Sequence, residues 1–484
     1  MKRNHSKKAL AIILSALLTV SLAACNNNQN GSPTEAATTA QTEAVTEAAT
    51  QTATEAAKAT AALSESDITI TDTVENTADS EHAITADGES ASYKNTKVTK
   101  TGDSDSGDEA DFYGDNAAIF ATNGATLDLS EMVIKTDGTH ANAVFSYGEG
   151  TTVNISDSYI ETSGNCSGGL MTTGGGTMNA SNLTINTSGN SSAAIRSDRG
   201  GGTVNVDGGS YTTSGTGSPV IYSTADITVS NADLTSTASQ GVVVEGKNSV
   251  TLKNVTLNAD NNTKNSDKSE WYQAVMIYQS MSGDAAEGLS SFTMEGGTLT
   301  NENGDVFFVN NTATEISLTG ATIVNNDTEG YFLRAAAAGW GSEGSNGGQV
   351  SLYASQQTIN GDMIVDDVSH LNLYLSDSST FNGAINSDGA AGDVYVEITD
   401  GSKWVLSGDS YITSLTCDAD SIDLNGHKLY VNGVEYSAGS SSTGSAIAVV
   451  STGGSGGSGG APDKPGEGGG HGGEGGTPPE KPGN

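Results

Sequence analysis

The sequence predicts an all-β solenoid, a chain wound into stacked coils with three short strands per turn. Three observations carry that prediction. First, the 484 residues include 62 Gly, are rich in Thr, Ser, Asn and Ala, and are only 16% charged and 5% aromatic. Small, turn-forming and β-branched residues favour short strands and frequent turns, whereas the Leu, Lys and Arg of ordinary helical surfaces are sparse. Second, "TVNISDSYIETSGN" at 152–165 returns closely as "TMNASNLTINTSGN" at 177–190. Third, each return contains three separate apolar runs, which is the arithmetic of a coil that buries its core only against its neighbours.

Taken in order, residues 1–24 are an export signal. Lys2, Arg3, Lys7 and Lys8 precede an apolar run that ends in Leu22-Ala23-Ala24-Cys25, and that run is shorter than the roughly 20 residues a spanning helix needs. The ending resembles the lipobox of bacterial lipoproteins. That resemblance implies that Cys25 is the lipidated first residue of the mature chain and that the protein is extracytoplasmic, surface-exposed and held to the bacterial cell membrane by its lipid alone. Residues 25–66 form a Thr/Ala/Glu tract without apolar periodicity. Such a tract buries too little to offset its ordering entropy, so it is expected to be a disordered tether.

Residues 67–440 hold the coils. Thr126, Thr152, Thr177 and Thr203 begin "TLDL", "TVNI", "TMNA" and "TVNV", at spacings of 26, 25 and 26 residues. Second runs follow ("MVIKT", "SYIETS", "LTINTS", "SYTTS"), then third runs ("AVFS", "GLMTT", "AAIRS", "PVIYS"), and the pattern continues less regularly to "EISLTGATIV" at 315–324. Residues 259–272, 279–290 and 335–348 read as insertions at coil corners. In "TVNI", period-2 alternation sends Val153 and Ile155 to the core and Thr152 and Asn154 outward. Thr152, Asn154, Thr177, Asn179, Thr203 and Asn205 therefore form an outward polar panel, with Asp128 in line. Gly-rich links such as "TSGN" and "TTGGG" are expected to supply the positive φ of tight corners.

With these repeats in view, the span 67–440 resembles the right-handed parallel β-helix shared by pectin-lyase-like enzymes and autotransporter passengers. Within it, "GSKWVLSGDSYITSLTCDADSIDLNGHKLYVNG" at 401–433 resembles the distal passenger segment of pertactin-type autotransporters, through Trp404, Gly408, Asp409, Ser410 and Leu415. The resemblance implies a cap that seeds folding, with Trp404 in the core. Residues 441–484 are a Gly/Ser/Pro-rich tail.

A formal net charge of -38, from 58 acidic against 20 basic residues, excludes nucleic acid and anionic lipid as partners. Cys166 and Cys417 lie many coils apart, too far for a disulfide. The β-helix resemblance brings polysaccharide lyases and hydrolases into view, but an enzyme must be argued from its site. Arg196 and Arg199 share one corner, "RSDRGGG", and read as solvated charge. Arg334 stands alone, adjacent Asp366 and Asp367 read as a loop pair, and His471 lies in low-complexity sequence. Asp103, Asp105 and Asp108 around Gly107 make an oxygen-rich loop that could hold Ca²⁺, although Gly107 stands where a third ligand is wanted. No catalytic set is visible. The expected function is an elongated face presented to an extracellular glycan or to a host or neighbour surface, as an adhesin-like protein does. A polysaccharide lyase or hydrolase of the pectin-lyase-like type is the alternative, and acidic and basic side chains converging from different coils would favour it.

Overall fold

The computed structural model describes residues 62–449, except 265, 269 and 390. The signal, Cys25, most of the tether and the tail from 450, with His471, lie outside the described residues. What is described is a parallel β-helix: nearly every strand pairs in parallel with its counterpart one coil away.

Three runs per coil give three faces. The first face is a ladder of thirteen strands, from Ala91–Lys94 through Thr126–Ser130, Thr152–Ser156, Gly176–Thr187 and Gly202–Thr213 to Ser414–Cys417. The second runs make the second face, as in Val133–Thr136 and Tyr159–Thr162. In Gly176–Thr187 and Gly202–Thr213 the first and second runs are one strand bent at Asn182 (φ 49°) and Gly208 (φ 74°), which joins the two faces into a single 21-stranded sheet. The third runs form a separate 11-stranded sheet.

Repeated letters become stacked atoms. Leu127, Val153, Met178 and Val204 lie in register in the core, each 0% exposed, and Ile155 is 2% exposed. Farther along, Phe292, Phe307 and Phe332 continue the column with ring centroids 5.5 Å apart at both steps. Trp404 is fully buried, stacks on Phe381 and donates its indole N–H to the Gly383 carbonyl at 2.8 Å, so the distal Trp is a core residue. Cys166 and Cys417 are both free.

Corner chemistry differs from the expectation in one respect. The glycines of the two "TSGN" links and of "TDGT" at 136–139 do not take the positive φ; that falls two residues later, on Cys166 (54°), Ser191 (55°) and His140 (57°). Gly164 and Gly189 are needed for close approach, since an added Cβ would sit 1.9 Å and 1.8 Å from the carbonyl oxygens of Gly138 and Gly164 in the preceding coil.

Two further segments are bound to the coils. Glu65, at the end of the tether, pairs with Lys97 (2.8 Å) and Lys135 (2.7 Å) of the second face. Residues 442–447 return across the first face, where Ile447 and Asn372 exchange two hydrogen bonds of 2.9 Å.

A polar groove as candidate functional site

The panel residues are where alternation sends them. Asp128, Asn154, Asn179 and Asn205 occupy one register position on successive coils, with Thr126, Thr152, Thr177 and Thr203 two residues earlier in each strand. Asp128, Asn154, Asn179 and Asn205 wall a shallow groove of about 480 Å³, with Thr228 on the next coil and Ser130, Ser156, Ser181, Asp207 and Ser230 along the corner edge, while the four threonines lie outside it. The groove lining contains no Lys, Arg or His, and its charged groups are Asp128 and Asp207.

The asparagines form a directional chain. Asn205 Nδ2 donates to Asn179 Oδ1 at 3.0 Å, Asn179 Nδ2 to Asn154 Oδ1 at 2.9 Å, and Asn154 Nδ2 to Asp128 Oδ1 at 2.8 Å. The carboxylate ends the run because it only accepts. A primary amide has two N–H donors and two acceptor lone pairs, so each middle amide uses one donor and one acceptor in the ladder and keeps one of each for a ligand. The ladder also holds the amides in one orientation, which lowers the entropy lost on binding. Along the corner two separate pairs stand beside it, with Asn182 Nδ2 donating to Asp157 Oδ1 and Asn231 Nδ2 to Asp207 Oδ1, both at 2.7 Å.

The other sequence candidates are scattered. Asp103 Oδ1 accepts the Thr139 amide at 2.7 Å, Asp105 is exposed, and Asp108 stands in the first turn of the helix Gly107–Tyr113. Among the described residues, the set of three metal-type side chains with ligand atoms within 4.8 Å of one another is Asp111, His140 and Cys166, and it includes none of the three Ca²⁺ candidates. Asp366 is spent on the amides of Ala337 and Val368 and the Ser369 hydroxyl.

The corner "RSDRGGG" is not simply solvated. Arg196 lies at an outward position of the third face, in register with Met171 and Tyr222, yet its side chain is only 13% exposed. Its Nη2 is 2.8 Å from Asp198 and 3.7 Å from Asp111, and Asp111 also holds His140 Nδ1 at 3.0 Å. Burial pushes the Asp198 carboxyl up to about 6, against the pull of Arg196. Arg199 pairs with Asp284 at 2.8 Å and stacks 3.8 Å over the Phe112 ring. Arg334, the third arginine, is bound to buried Asp305 at 2.6 Å. Two of the acidic partners, Asp111 and Asp284, come from a helix and an insertion that carry no periodic signal, whereas Asp198 shares the corner with Arg196 and Asp305 heads a third-run strand.

No protein-family model matches the chain, and no curated protein matches it either. Fold and groove together define a class: a parallel β-helix with an amide ladder ending on the Asp128 carboxylate on its first face and a charge-paired, covered third face.

Proposed function

We propose that the protein is a lipid-anchored, surface-exposed β-helix that contacts glycans outside the cell, on a host, a neighbouring cell or a secreted polymer. The observation that supports it is the groove lining: amides and hydroxyls over six coils, with the three amides oriented in advance and two carboxylates the only charged groups. Neutral donors and acceptors suit a hydroxyl-rich polymer. Each neutral hydrogen bond contributes about 0.5–1.5 kcal/mol, so single-site binding is weak and display of many copies on one surface makes it effective. Replacing Asn154, Asn179 and Asn205 together with Lys should lower binding to mucin or a glycan array by about tenfold or more, with an unchanged circular dichroism spectrum. Undiminished binding by the folded triple variant would sink the groove as the contact surface.

Anchoring is proposed on the Leu22–Cys25 ending, which resembles a lipobox. Cys25→Ala should release the protein from membranes, because an acyl chain contributes about 0.8 kcal/mol per buried CH₂. Growth with a radioactive fatty acid checks this, and an unlabelled wild-type band defeats it.

A second reading, a polysaccharide lyase or hydrolase, draws on the meeting of Asp111, from the helix Gly107–Tyr113, with Arg196 and Asp198 of one coil corner. A carboxyl held near 6 suits a general acid. We place this second because Asp198 is 5% exposed and both its oxygens are engaged, by Arg196 and by the Arg199 amide. Release of reducing ends from a polysaccharide by the purified protein would reverse the order.

A further inference from the structure

We propose that the third face carries a second binding site, a preformed aromatic pocket that takes a pyranose ring bearing an anionic group. It shares with the function proposed above only the broad ligand class, glycan, and it uses a different face and different chemistry.

The pocket, about 270 Å³, lies where the insertions at 259–272 and 335–348 cover the sheet. Aromatic residues are scarce in this chain, yet two of its three tryptophans, Trp271 and Trp340, line this one cavity together with Tyr222, Tyr272 and Tyr278. The third, Trp404, is a core residue with 0% exposure. Such a concentration in a concave site is what a ligand with an apolar face requires. A pyranose has one: its axial C–H bonds pack on an aromatic ring while its hydroxyls turn to polar groups. Asn261, Gln240 and Thr263 supply polar groups around the pocket.

The walls are held before any ligand arrives. Buried Glu245 accepts hydrogen bonds from the hydroxyls of both Tyr222 and Tyr278, the latter at 3.1 Å. Trp271 is fixed between the Arg334 guanidinium, 4.3 Å from its ring, and the edge of Phe308. Trp340 stands edge-on to Tyr278 at 5.1 Å, and Asn346 clamps its carbonyl at 2.8 Å. The two insertions touch directly, as the Gly339 amide donates to the Lys268 carbonyl at 2.8 Å. Only glycine permits this, since an added Cβ would lie 2.7 Å from the Lys268 Cα. Walls that need no ordering spare the ligand that cost.

The sign of the ligand follows from the lining. In a chain of net charge -38, this pocket is lined by Lys264 and Lys268, both exposed. Among the described residues neither forms an ion pair; Lys264 Nζ bonds the Glu270 carbonyl at 2.6 Å and stands 5.3 Å from the Tyr272 ring centre. The loop's acids, Asp267 and Glu270, are not in the lining. Two uncompensated cations beside an aromatic floor select a carboxylated or sulfated sugar over a neutral one. The first-face groove, with Asp128 and Asp207, has the opposite bias.

Intrinsic tryptophan fluorescence reads this pocket directly. The full chain is titrated with oligosaccharides of hyaluronan (carboxylate), chondroitin sulfate (carboxylate and sulfate) and dextran (neutral). A saturable change with one or both anionic probes and none with dextran is expected, and which anionic probe acts tells whether carboxylate alone suffices. Lys264→Gln combined with Lys268→Gln, both at exposed positions, should weaken that binding about tenfold while leaving the spectrum of the free protein unchanged. The Asn154, Asn179 and Asn205 Lys variant should titrate like the wild type, which separates failure here from failure of the groove. No saturable change with either anionic probe, equal binding of dextran, or undiminished affinity in the double Lys variant would each overturn the proposal.

Discussion

The first and third faces belong to the same coils and share one backbone spacing, yet their outward sides are chemically opposite. On the first face, outward positions read Asp128, Asn154, Asn179, Asn205 and Thr228, of which the first four bond one another in a ladder. On the third, the outward positions of successive coils read Phe120, Phe145, Met171, Arg196, Tyr222, Val243, Met276 and Phe308. Apolar residues on both sides of a sheet require a cover. The helix Gly107–Tyr113 serves one part, with Thr173 Oγ1 bonded to the Phe112 carbonyl at 2.7 Å, and the insertions serve the other. Specificity arises on the covered side: a bare ladder repeats one chemistry, whereas a covered face makes walls, charge pairs and a pocket.

A charge placed at matched outward positions of the two faces should have very different costs. Met171 and Asn179 both point away from the core, but Met171 is 0% exposed beneath its cover and Asn179 is half-buried at the groove. Met171→Lys puts an ammonium among Ala117, Phe120 and Phe145, a cost of several kcal/mol unless the amine gives up its proton or displaces the helix. Asn179→Lys removes the amide that makes two ladder hydrogen bonds, to Asn154 and from Asn205, at a partly exposed site, and its cost should stay within about 1–2 kcal/mol. Urea unfolding of both variants measures the gap. Equal destabilisation would mean that the third face is not clasped.

The same contrast explains what could be read from the letters. The first face was legible because one side of each strand meets the core and the other meets water, so "TVNI" alternates and its period is 2. The third runs, such as "DVFFVN", are apolar throughout, which marks a strand buried on both sides but does not say what buries it. The helix "GDEADFY" is too short to show an apolar period, and its acidic first turn reads as a surface loop. Close approach of Gly164 to Gly138 was misread as a need for positive φ, since both demands select glycine. Asp111, His140 and Arg196 are far apart in sequence, and only stacking of coils beneath the helix brings them together.

The smallest expected effect sharpens the comparison through pH, because titratable latches belong to the covered face. His140 Nδ1 meets Asp111 Oδ1 at 3.0 Å, with Cys166 and Arg196 as the other polar neighbours. The hydrogen bond to Asp111 raises the imidazole above its ordinary 6.5, against the opposing effects of burial and of Arg196. A group raised on folding contributes stability that is full below its unfolded value and is lost as pH rises through the folded one. The latch therefore holds the helix in mildly acidic buffer and loosens in alkaline buffer. Asp198 acts in the same direction: burial raises it to about 6 from 3.8, so its contribution fades as pH passes that value, but it is present in wild type and variant alike and cancels in their difference. His140→Gln keeps a neutral hydrogen bond and removes the charge. It should cost about 1 kcal/mol below pH 6.5 and nothing once the wild-type imidazole is neutral, and the amides of 107–113 should lose hydrogen-exchange protection over the same range. A deficit that persists unchanged into alkaline buffer would assign His140 to packing instead of charge, and first-face amides such as those of Asn154 and Asn179 should stay protected at every pH tested.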